Sequence, residues 1–92
     1  MQTGTRTHET RAADKRAFNI DQLRASVAFR DVVIGRMRAD LARSPARRPG
    51  EGWCAYDARC VSRRVSIECE ISREQSSRGY EVDALAGYGV VL

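Results

Sequence analysis

Hydrophobic positions change period part-way along this chain, and the change divides it. Between Asn19 and Arg43, Ile20, Leu23, Val27, Ile34, Met37 and Leu41 fall on one face at helical spacing. Phe18-Asn19-Ile20-Asp21-Gln22-Leu23 reads as a helix start, with Asn19 as cap, Gln22 closing a capping box and Phe18 stapling onto Leu23. Ser44-Pro45 ends the run, because the residue before proline is pushed out of the α region. A helix over 19–43 follows. Arg30 interrupts its apolar stripe, either snorkelling at the helix edge or aimed at an acidic partner. Gly35 lowers helix propensity, so two shorter helices breaking between Arg30 and Gly35 are the alternative. Val32, Ala25, Ala28, Ala39 and Ala42 lie outside the main sector, as in a helix covered on two sides.

Beyond Gly52 the period becomes two. Val61, Arg63, Val65, Ile67, Cys69 and Ile71 alternate with Ser62, Arg64, Ser66, Glu68, Glu70 and Ser72, the pattern of a half-buried strand. Residues 74–79 are polar and end in Gly79, which reads as a hairpin loop. A partner strand then runs from Tyr80 through Val82, Ala84, Ala86, Tyr88 and Val90 to Leu92, with Leu85 on the opposite face and Gly87 and Gly89 marking a bulge or a close approach by another backbone. Trp53 to Ala58 makes a shorter first strand. The fold class expected is α+β: one long helix, or two shorter ones, packed on a three-stranded antiparallel meander. Residues 1–17 form a flexible basic arm and 18–92 a single domain, with helix 19–43, linker 44–52 and sheet 53–92.

Composition sharpens this picture only slightly. The 92 residues suit one small domain, and the net charge of +4 comes from sixteen basic residues of which only Lys15 is not arginine. Arginine forks onto phosphate and carboxylate, so such a set suits nucleic acid or an acidic protein surface, although a bias toward arginine codons produces the same composition. No apolar run reaches membrane-spanning length and no secretory pattern follows Met1, so no membrane contact and a cytoplasmic location are expected.

Candidate chemistry is sparse. Cys54, Cys60 and Cys69 lack the paired spacing of a zinc site, and the lone histidine, His8, sits far from them, so neither metal nor cofactor is expected. The stretch Ile20-Asp21-x-Leu23, a basic linker and Gly52-Trp53-Cys54-Ala55-Tyr56-Asp57 resembles the entrance to the zinc-binding domain of bacterial-type DNA primases. Asp57 stands where that family has histidine and the second C-x-x-C is missing, so the resemblance transfers no function. No glycine-rich phosphate loop or nucleophile-base pair occurs, which argues against an enzyme.

What remains is a binding module. Arg47 and Arg48 sit between Pro45 and Pro49 in the linker, and with Arg59, Arg63, Arg64, Arg73 and Arg78 they would form a basic rim near Trp53, Tyr56, Tyr80 and Tyr88. The binding residues expected are Arg47, Arg48, Arg59, Arg64, Arg73 and Arg78, and the partner is nucleic acid, a nucleic-acid-protein complex or an acidic protein surface. A regulator of phage or mobile-element type that blocks a host enzyme is the alternative. An oligomeric structural subunit, self-associating through a sheet edge or the second helix face, is a third reading.

Overall fold

The computed structural model describes residues 8–92 and contains two long helices, α1 (His8–Ala42) and α2 (Trp53–Gly87), joined by residues 43–52. They run antiparallel: Asn19 reaches Tyr88, Asp31 reaches Arg78, and Asp40 reaches Arg63. No strand occurs among the described residues, so the α+β class and the three-stranded meander are overturned. Residues 1–7 of the expected arm lie outside the described residues, and 8–17 form the first turns of α1.

Along α1, Ile20, Val27, Ile34 and Leu41 recur every seven residues, the spacing that keeps one seam facing a partner helix. Ile20, Val27 and Ile34 are buried, and the helix runs through Gly35 without a break. Asn19 is no cap, because helix precedes it. Its side-chain amide instead donates to the Tyr88 hydroxyl at 3.1 Å, tying the first third of α1 to the end of α2. The helix stops just before Ser44-Pro45, as the sequence requires.

On α2 the seam is made by Cys60, Ile67, Glu74, Glu81 and Tyr88 at one heptad position and Ile71, Arg78 and Leu85 at the other. Three of these eight side chains are charged, so the helical period is masked when apolar residues alone mark it. The apparent alternation arises because two separate helix faces interleave: Ile67 and Ile71 point inward, while Val61 and Val65 remain more than half exposed. Leu85, set on the outer face by strand parity, is the most deeply buried residue, at 0% exposure. It packs with Ile20 and Val27, and Leu23, Val82, Tyr88 and Val90 close around them.

The expected bulge at Gly87 and Gly89 is a helix stop. Gly89 adopts a φ of 82°, its N–H donates to the Ala86 carbonyl, and the Val90 N–H donates to the Leu85 carbonyl, each at 2.9 Å. This is the Schellman arrangement, in which a left-handed residue satisfies the last carbonyls and the next side chain folds back on the helix. Val90 does so by packing against the cluster around Leu85.

Arg30, the interruption in the α1 stripe, lies in the seam. Its guanidinium donates to Glu74 Oε2 at 2.8 Å and to Glu81 Oε1, and all three side chains are less than one-third exposed. The acidic partner suggested for Arg30 therefore belongs to its own chain. Burial pushes the Glu81 carboxyl up, but hydrogen bonds from Ser26 and Arg30 together with the Arg30 charge outweigh that and leave it below the usual range.

Candidate nucleic-acid interface

The connection between the helices is held in shape by arginine and tyrosine side chains of α2. Arg63 donates to the carbonyls of Asp40 at 2.8 Å and Arg43 at 3.0 Å where α1 ends, and the Asp40 carbonyl also receives the Arg43 N–H at 3.2 Å. Tyr56 donates its hydroxyl to the Pro45 carbonyl at 2.6 Å, and Arg59 donates to the Ala46 carbonyl at 2.8 Å. Thus the carboxyl-terminal end of α1 is capped from the neighbouring helix.

At the tip, Arg48-Pro49-Gly50-Glu51 forms a β-turn, with the Glu51 N–H donating to the Arg48 carbonyl at 3.0 Å. Proline at the second position and a glycine at φ 77° in the third are what a type II turn demands. The Glu51 carboxylate then receives the Arg48 N–H at 3.0 Å and a fork from Arg59, at 3.0 Å from Nε and 2.8 Å from Nη2. The Arg59 hydrogen bond, with that from Arg48, lowers the Glu51 pKa to about 2 against the opposing effect of burial.

Around this frame sits a small stack. The Arg47 guanidinium lies 4.3 Å from the centre of the Trp53 ring and donates to the Glu51 carbonyl at 3.1 Å. Trp53 meets Tyr56 edge-on at 5.9 Å, and Arg59 covers the Tyr56 ring at 5.6 Å. Trp53 is nonetheless 65% exposed, so one part of the indole holds Arg47 and much of the rest faces solvent.

The six arginines expected to bind a partner divide into two groups. Arg47, Arg48, Arg59 and Arg64 come together at or near the turn, whereas Arg73 and Arg78 lie farther along the rod. Arg59 is engaged by Glu51, and Arg78 is paired with Asp31 at 2.5 Å. Arg73 lines a shallow groove with Val33, Met37, Glu70 and Glu74, two of them carboxylates. Arg48 and Arg64 are exposed, and neither guanidinium has an ion-pair partner among the described residues. Arg64 shares a cleft with Arg43 and Arg63. Arg43 was missing from the expected set, because only an antiparallel return of α2 brings it beside Arg63.

The charge is unevenly spread. Between residues 36 and 64 the chain has eight arginines and three carboxylates, an excess larger than the net +4 of the whole chain. No group of His, Cys, Asp and Glu side chains suited to a metal ion occurs among the described residues, where Cys54, Cys60 and Cys69 are free thiols. No helix among them is long and apolar enough to cross a membrane.

These features define an antiparallel helical hairpin with a rigid, arginine-rich turn. No family model matches the chain, and neither a curated protein nor a solved structure is significantly similar to it.

Proposed function

We propose that the hairpin is a non-enzymatic binding module that engages the phosphate backbone of a nucleic acid through its turn end. The observation carrying this reading is the convergence of Arg43, Arg47, Arg48, Arg63 and Arg64 around a turn whose own carboxylate, Glu51, is already held by Arg59. Intramolecular pairing leaves Arg48 and Arg64 available to phosphate oxygens, and arginine offers them a planar fork. Exposed Trp53, with Arg47 on its ring, adds a surface on which an unpaired base can stack.

Fluorescence anisotropy of labelled single- and double-stranded DNA and RNA over a salt series tests this directly. Affinity should fall linearly in log salt, and replacing Arg48 or Arg64 with glutamine should each reduce the slope by roughly one. Trp53→Ala should weaken single strands more than duplexes. Arg73→Gln, away from the turn, should leave the slope unchanged. Absence of binding at low salt, or a slope indifferent to Arg48 and Arg64, rejects the reading and directs attention to acidic protein partners.

A further inference from the structure

The hairpin buries five large apolar side chains and leaves nine exposed among the described residues, so its interior is thin for its length. The exposed set is not scattered on α1. Phe18, Ala25, Phe29, Val32 and Ala39 follow one another at intervals of seven, four, three and seven residues, forming a second heptad stripe. Phe18 is 61%, Phe29 67% and Val32 51% exposed. Ala25, Val32 and Ala39 each stand five residues after Ile20, Val27 and Ile34, which turns them about 140° from the buried seam. Ala28 and Gly35 flank the stripe, and a Cβ placed on Gly35 would meet nothing within 4 Å. Small residues there let another helix approach closely.

We propose that this outer face of α1 pairs with the same face of a second copy of the chain, antiparallel, about a two-fold axis near Ala28. In that arrangement facing residues have numbers that sum to about 56, since the axis maps each helix onto the other in reverse. Phe29 then rests on Ala25 and Ala28 of the second copy, and Phe18 lies beside its Ala39. Asp21 comes next to the second copy's Arg36, and the symmetry makes that contact twice. Asp21 and Arg36 are exposed and have no ion-pair partner within the described residues. A parallel pair would instead set Asp21 on Asp21 and Arg36 on Arg36, and like charges in register repel. Size and charge both select the antiparallel partner. The pairing is independent of the basic turn, since the face includes none of the turn arginines.

Sedimentation equilibrium of the full chain over a wide concentration range reads the outcome as mass, with 10.3 kDa for one chain and twice that for the pair. The native chain should dimerise, and Phe29→Asp should weaken the dimer about a hundredfold, which corresponds to losing one well-buried aromatic contact. Circular dichroism should show unchanged helicity, because Phe29 is outside the seam. Ala28→Glu, a substitution that keeps helix propensity, should weaken the dimer as well by placing two carboxylates at the axis. Asp21→Arg and Arg36→Glu should each weaken it several-fold, and the double exchange should restore it. A monomer at every concentration overturns the proposal, as does a dimer indifferent to Phe29→Asp and Ala28→Glu. A double exchange that fails to restore pairing overturns the antiparallel arrangement. Nucleic-acid binding retained by monomeric Phe29→Asp would separate this surface from the turn.

Discussion

Arg30 of α1 and Glu81 of α2 meet within the seam between the helices, with Glu74, one heptad away, taking the other side of the same guanidinium. Both helices would otherwise present apolar residues at these levels, and a wholly apolar seam tolerates sliding by whole heptads. The ion triad costs desolvation and in return favours one register. Arg30→Leu should lower the melting temperature, because it leaves two carboxylates together in the seam. Replacing Arg30, Glu74 and Glu81 all by leucine should raise it above the parent. The triple variant should also sediment as a mixture of species, and thermal melts with sedimentation velocity check both outcomes.

Leu85→Ala tests where the interior lies. With a side chain at 0% exposure and Ile20 and Val27 against it, truncation should cost about 3 kcal/mol. Val61→Ala, on a more exposed part of the same helix, should change stability little. Paired urea titrations of the two variants measure the difference.

The two glycines near the end of α2 should respond with opposite signs. Gly79 lies inside the helix with open space around its Cα, so Gly79→Ala should stabilise by about 1 kcal/mol. Gly89 holds a φ of 82°, a conformation side chains resist, and Gly89→Ala should destabilise by about 1 kcal/mol. Thermal denaturation of the two variants, side by side, reads the sign directly.

Acid should loosen the turn through Glu51. Its pKa is lowered from 4.5 to about 2 in the folded chain, so the stabilisation it provides is present in full above its unfolded value. That contribution declines as pH falls below 4.5 and is gone once pH passes about 2. Glu51→Gln should flatten stability against pH across that window. Chemical denaturation at a series of pH values checks the flattening.

Much of α1 could be read from residue order. Ile20, Leu23, Val27, Ile34, Met37 and Leu41 mark the seam face, and Ser44-Pro45 marks its end, because seam and period coincide there. On α2 they do not coincide. Glu74, Arg78 and Glu81 occupy seam positions, while β-branched Val61 and Val65 sit on another face, so a period of two emerges from a helix. A signal was nonetheless present: an arginine interrupting one apolar stripe, and two glutamates seven residues apart elsewhere in the chain, are complementary interruptions. The loop position of Arg47 and Arg48 was legible because prolines flank them. The loss of Arg59 to Glu51 and Arg78 to Asp31 was not, since those contacts exist only once the chain folds back on itself.

Each helix is about 52 Å long at 1.5 Å per residue, and the positive excess sits at one end of that rod. A single hairpin is therefore an electric dipole. In the field of a polyanion it experiences a torque that swings the turn forward before any contact forms, so encounters are oriented as well as accelerated. Antiparallel pairing would set two such dipoles side by side in opposite directions and cancel them. What remains is a molecule charged at both ends, able to bridge two anionic segments where one hairpin can only cap one.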